Sequence, residues 1–393
     1  GGHAPLLRGC RPACVIPFGL ANPDFRGRPA RPRIASISVC TARIPLDHVT
    51  AFATRSVSAR DYGLVKVCSD SGLEGIGFCY AGSSAGSLVA LAVEELLAPK
   101  LIGQESTRTE GLWEEMFQES LLQGRAGAVM RAISILDTAM WDLNARSAKL
   151  PLHRYLGGCA EKAVPAYASG GYYLAGKTPK KLGAEMAGYV KLGFKAVKMK
   201  VGRLSAVDEE ARVRAAREAI GPDVLLALDA NNAWQDLPTA LEHVKRYEKY
   251  DPYWIEEPFG PDDIDSHARL ARATPITVAT GEIGVGRWYF KALMDKGGAA
   301  ILQHDAAVCG GITEWRRIAA TAASYGVTVC PHWFHDLPVH LVASTPNART
   351  VAYFPAAHVP NFRRLVNRPP RTTAGFPQQP TRPGVGLHVH PRG

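Results

Sequence analysis

Six ionisable residues recur along the chain at nearly one interval. Lys200, Asp229, Glu256, Glu282, Asp305 and His332 are spaced 29, 27, 26, 23 and 27 residues apart. Each closes a short apolar run, in "AVKMK", "LLALD", "YWIE", "TVATGE", "AILQHD" and "VTVCPH". One polar residue at a strand end is ordinarily a cap or a solvated turn. Six in order, all ionisable, point to a shared site. Three adjacent carboxylates, Asp229, Glu256 and Glu282, are what a hard divalent cation requires. Mg²⁺ prefers an octahedron of oxygens and leaves positions for water or substrate. Without a cation, three clustered anions repel and at least one stays protonated.

The run "GFKAVKMKVG" places Lys198 and Lys200 on one face of a short strand, with Val197 and Met199 on the other. Its apolar flanks argue against an exposed edge from which both lysines reach water. Mg²⁺ beside the carboxylate of an acid substrate stabilises the enediolate formed when the α-proton is removed. A lysine near its usual pKa of ~10.4 is too weakly acidic to serve as a neutral base. A second ammonium and a dication are expected to lower it, which makes Lys200 a usable general base. Lys198 would hold the substrate carboxylate. Asp305 and His332, one repeat apart, suit a dyad in which the acid orients the ring and raises its pKa, giving a second acid/base opposite Lys200.

These residues need elements that bring them to one place. Short apolar runs begin near Val164, Ala196, Val224, Trp254, Thr277, Ala300, Val327 and Thr350. Amphipathic stretches at 178–191, 206–219, 238–249 and 311–325 lie between several of them. About eight strand–helix units over ~200 residues fit a parallel barrel better than an open sheet, and a barrel gathers its strand C-termini at one mouth. Upstream, "RIASISVCTARIP" and "DYGLVKVCSDSGLEGIGFCYA" read as strands with a hairpin at "SDSGLEG", and 87–150 reads as helices. The expected organisation is a basic, disordered extension at 1–33, an α+β domain at 34–160, a barrel at 161–353 and a C-terminal segment at 354–393 that partly returns to the N-terminal domain.

The net charge of +10 belongs to the ends. Residues 1–33 carry six arginines against Asp24, and residues 363–393 carry six arginines and no acid, which leaves residues 34–362 at about −1. Nucleic-acid binding by the body is therefore not expected. No apolar run approaches the ~18 residues of a membrane span. The eight cysteines show no second close pair to join Cys10 and Cys14 in a zinc site, and free thiols suggest a reducing cytoplasm. "GEIGVG" is not a dinucleotide loop, and Cys330 beside His332 lacks a readable oxyanion hole, so packing explains it better than nucleophilic catalysis.

Over residues 34–366 the sequence resembles the enolase superfamily, specifically the mandelate racemase subgroup. The resemblance rests on "AISILDTAMWDLNARSAKLPLHRYLGG", the K-x-K at 198–200, "DANNAW", "WIEEP", the "GE" at 281–282, "HDAAVCGGITEW" and "CPHWFHD". It implies a modified (β/α)7β TIM-like barrel under an α+β capping domain, with Mg²⁺ on Asp229, Glu256 and Glu282 and bases Lys200 and His332. It also implies Asn231 near the substrate's α-hydroxyl. Asp305 before "CGG" excludes the muconate-cycloisomerase branch, which places a lysine on the sixth strand. In one respect the chain departs from the subgroup. Ala352 stands on the eighth strand where relatives place a glutamate that hydrogen-bonds the substrate carboxylate or the enediolate. His358 is a candidate replacement.

The expected activity is Mg²⁺-dependent dehydration of an acid sugar to a 2-keto-3-deoxy acid, with a small-molecule substrate and a homo-oligomeric assembly. Racemisation or epimerisation of a 2-hydroxy acid uses the same residues. A third reading is a metal-binding homologue weakened by Ala352. The segment "LDHVTAFATRSVSARD" at 46–61, rich in hydroxyl and charged groups, favours a polyol over an aryl substrate.

Overall fold

Eight parallel strands alternate with seven helices among the residues described by the structure, a computed structural model that describes residues 31–158, 163–333, 336–355, 361–367 and 372–389. His358, Cys10, Cys14, Cys159 and residues 1–30 lie outside them. The parallel strands are β4 (Ala166–Ser169), β5 (Ala196–Lys200), β6 (Leu225–Asp229), β7 (Trp254–Glu256), β8 (Thr277–Thr280), β9 (Ile301–Leu302), β10 (Thr328–Val329) and β11 (Val351–Tyr353). The ladder runs from β11 through β4 and then in sequence order to β10, which is the order of a (β/α)7β barrel. A parallel bridge from Val329 to Ala348, just before β11, links its two ends.

The strands are short and apolar because both faces are covered: one by helices, the other by the packed barrel interior. Local chemistry starts several of the intervening helices. Thr178, Ser205, Asp236 and Asp263 each accept a hydrogen bond from a backbone N–H three residues on, and Pro179 and Pro238 occupy first-turn positions.

Three antiparallel strands precede the barrel: β1 (Ile34–Ala51), β2 (Ser56–Ser69) and β3 (Glu74–Tyr80). β2 and β3 form the expected hairpin, with Gly72 at φ 79° in its turn. The helix Gly127–Ser147 packs across β3. Side chains at Gly75 and Gly77 would place a Cβ 2.1 Å from the Ala139 carbonyl and 1.9 Å from that of Ile135, so only glycine permits this approach.

The same helix fastens this domain to the barrel. Asp137 accepts from Thr313 N at 2.9 Å and from Thr313 Oγ1 at 2.6 Å, at the start of the barrel helix Gly311–Ser324. Trp113 Nε1 donates to Gly310 O at 2.7 Å. Asp142 accepts from Ile76 N, Arg146 Nε and Val385 N, so it ties the domain to the C-terminal segment as well. Burial pushes Asp137 up to about 7. Much of the "DTAMWDLNAR" motif therefore joins the two domains.

Candidate active site

The strand register brings the six spaced residues to one end of the barrel. Lys200 is paired with Asp229, and Asp229 with Glu256, so their side chains share the inner face. Lys198 lies two residues back on the same face, and both lysines are buried. Glu282, Asp305 and His332 sit beyond the last paired residues of β8, β9 and β10, whereas the sequence reading put them at the strand ends. They still line the same cavity of about 300 Å³, together with Lys198, Lys200 and Asn231.

One ligand atom from each of Asp229, Glu256 and Glu282 lies within 4.8 Å of the others. Lys198 Nζ is 2.5 Å from Glu256 Oε1 and 3.3 Å from Asp229 Oδ2, and Lys200 Nζ is 2.5 Å from the same Asp229 oxygen. The rest of Glu256 is held from below, where Trp254 Nε1 and Gln303 Nε2 donate to Oε2 at 3.0 and 2.8 Å. Asn231 N donates to Asp229 Oδ1 at 3.0 Å. The carboxylates are thus oriented before any ligand arrives. Three hard oxygen donors at this spacing fit Mg²⁺.

The charges set each other's protonation. Burial works against the Asp229 anion, but Lys200 and Lys198 outweigh it and hold this acid below the usual carboxylate range. Burial and the Asp229 anion push Glu256 up to about 7 against the pull of Lys198. The sequence expectation weighed a second ammonium and a dication; the protein's own carboxylates act the other way. Burial and, for Lys200, the other ammonium do lower them, but the facing carboxylates dominate, and both stay above the ordinary lysine value.

His332 meets two of the carboxylates. His332 Nδ1 is 3.1 Å from Asp305 Oδ2, and Nε2 is 3.4 Å from Glu282 Oε2. Burial lowers the ring's pKa, but the two carboxylates overcome it and leave it raised. Asp305 is itself fixed by Ala307 N, which donates to Oδ1 at 2.8 Å. Backbone strain collects around this mouth. Asn231, Glu257 and Trp333 hold φ at 44°, 44° and 59° without being glycine.

At the eighth strand, Ala352 is paired with Tyr167 and buried, one layer below the cavity, while Phe354 reaches its lining. Tyr167 carries a buried hydroxyl without a hydrogen-bond partner among the described residues, and its ring centroid is 5.3 Å from Lys198 Nζ. Sequence reading missed Gln303 and Trp254, whose only signal is their position two residues before Asp305 and Glu256. It also missed the cap residues Phe52, Arg60, Tyr80 and Arg131, which line the cavity from more than 60 residues upstream.

The Mandelate racemase / muconate lactonizing enzyme N-terminal domain family matches residues 35–157, and the Enolase C-terminal domain-like family matches residues 181–392. The chain belongs to the enolase superfamily. An arabinonate dehydratase from Saccharolobus solfataricus is 39% identical over 62% of this chain and 65% of its own length. A 3,6-anhydro-alpha-L-galactonate cycloisomerase from Streptomyces coelicolor is 33% identical over 88% and 94%. Among solved structures, the L-talarate dehydratase from Polaromonas sp. JS666, complexed with Mg and L-glucarate, superposes with a TM-score of 0.84 at 29% identity, covering 92% of this chain and 96% of that one. These enolase-superfamily relatives are lyases and isomerases, and this chain is an enzyme of the same superfamily. No helix among the described residues is long and apolar enough to cross a membrane.

Proposed function

We propose that this chain is a Mg²⁺-dependent hydro-lyase that removes the α-proton of an acid sugar and expels its 3-hydroxyl, giving a 2-keto-3-deoxy acid. The observation that carries this reading is the meeting of Lys200 and His332 in one cavity with three convergent carboxylates. The named dehydratases among the relatives support it.

Asp229, Glu256 and Glu282 would hold the metal. When bound, Mg²⁺ supplies a Lewis acid for the negative charge that develops on the substrate carboxylate. Lys198 adds a fixed positive charge there. Lys200 Nζ, as the free amine, takes the α-proton; the C–H electron pair moves towards the carboxylate. Neutralising Asp229 would remove the largest influence that keeps Lys200 charged, and burial and Lys198 then favour the amine against Tyr172 and Glu282. His332, charged and oriented by Asp305, then gives its proton to the departing 3-hydroxyl as the C–O bond breaks. Water leaves, and the enol product becomes the 2-keto acid. Asn231, whose buried Oδ1 has no hydrogen-bond partner among the described residues, is the candidate acceptor from the α-hydroxyl.

A racemase or epimerase uses the same two bases to exchange the α-proton between faces, and the barrel alone favours neither outcome. Incubating the protein with an acid-sugar library, with Mg²⁺ and with a chelator, tests the choice. Metal-dependent 2-keto acid formation is expected. Metal-dependent epimer formation without 2-keto acid would replace dehydration with the second reading, and no metal-dependent change in any acid sugar would sink both.

A further inference from the structure

The cap side of the cavity holds a buried cation that the reaction above does not use. Arg60, on β2, is 1% exposed, and its Nε and Nη2 have no hydrogen-bond partner among the described residues. Its guanidinium carbon lies 4.7 Å from the Trp333 ring centroid, 5.0 Å from that of Tyr80 and 6.0 Å from that of Phe52. These rings offset part of the cost of burial through cation–π contact, but they accept no N–H hydrogen bonds.

Among the described residues no carboxylate forms an ion pair with Arg60. Asp61, next along the strand, accepts from Gly86 N at 3.2 Å and lies 3.9 Å from Arg43. Asp305 and Glu282 both face His332. Arg131, from the cap helix, lines the same cavity and forms no ion pair among the described residues. The cap side of the lining thus carries arginines and no acid. A guanidinium presents paired N–H donors that match a carboxylate, and a buried one without an anion is costly.

We propose that Arg60, assisted by Arg131, binds a second carboxylate at the far end of the substrate, so that the acid sugar is an aldarate, acidic at both termini, and not an aldonate. This rests on the acid-sugar reading above. The placement agrees with it: Lys200 Nζ and the Arg60 guanidinium lean on the same Phe52 ring, 5.4 and 6.0 Å from its centroid, within reach of the two ends of one short sugar chain.

The test compares matched pairs that differ only at the terminal carbon, glucarate with gluconate and galactarate with galactonate. It uses the full chain with Mg²⁺ and measures calorimetric Kd and kcat/KM. The native protein should favour the aldarate of at least one pair by about 30-fold or more, the factor expected when a buried charge-assisted pair is made. Arg60→Met should weaken aldarate binding far more than aldonate binding and so erase that preference, and Arg131→Met should reduce it less. The native comparison needs no variant, so a poorly folding Arg60→Met leaves the test intact. Equal or better binding of aldonates, or an Arg60→Met loss of the same size on both partners, overturns the inference. Dehydration of aldonates alone would sink it and leave the dehydratase reading standing. Arg60-dependent aldarate binding without dehydration would do the reverse.

Discussion

His332 Nδ1 lies 3.1 Å from Asp305 Oδ2, and the other Asp305 oxygen is held by the backbone N–H of Ala307. The carboxylate therefore fixes the ring's tautomer and directs Nε2 into the cavity. If His332 is the acid that releases the 3-hydroxyl, Asp305→Asn should lower kcat by about 10²–10⁴, the usual contribution of a positioned acid. KM should change little. A loss confined to KM would make Asp305 a substrate-binding group.

The eighth strand leads to a gain-of-function prediction. Ala352 contributes no polar group, and the adjacent Tyr167 hydroxyl is buried without a partner among the described residues. A missing transition-state donor costs roughly 2.7–4 kcal/mol, or ~10²–10³ in rate. Ala352→Glu should raise turnover on a substrate the native enzyme already uses, with Mg²⁺ affinity unchanged. Overpacking would cost about 1–3 kcal/mol of stability. A folded, metal-binding variant without a gain would show that the donor comes from elsewhere.

Stability should depend on pH through two buried histidines that the proposed reaction does not use. Burial pushes both His304 and His340 down to about 3. His340 accepts from His153 N at 3.1 Å and faces Val385 O at 3.1 Å, an arrangement suited to the neutral ring. The unfolded chain binds protons at these sites near pH ~6.5, well above the folded values, so stability falls as pH drops below that point. Each group withdraws up to about 1.4 kcal/mol per pH unit. The urea midpoint should fall between pH 7.5 and 5.5, and His340→Gln should show a smaller fall. A flat profile would mean that other groups compensate.

Much of the site was legible because barrel geometry turns sequence spacing into proximity. Lys198 and Lys200 could be placed on one face from strand alternation alone, and the three acids from their one-unit spacing. The loops that carry Glu282, Asp305 and His332 past the paired strands were not legible, since hydrophobic pattern marks strand cores better than strand ends. Arg60 was legible only as one charge among several in the 46–61 segment. Only the docking of the cap over the barrel buries it against Trp333. That carboxylates touch each Nζ was not legible either, because the reading weighed the second ammonium and the metal that those acids would hold.

The central proposal is that Lys200 and His332 flank the substrate from opposite faces at a Mg²⁺ site. Lys200 takes the α-proton and His332 releases the 3-hydroxyl in one configuration, and the two exchange roles in the other. Solvent deuterium incorporation at the α-carbon, followed for both epimers of an acid-sugar substrate, tests it most directly. Exchange should require Mg²⁺. Lys200→Ala should abolish it for the epimer whose proton faces the lysine, and His332→Asn for the other. Equal loss for both epimers in each variant, or exchange that persists with a chelator, would contradict two opposed bases at a metal-assisted site.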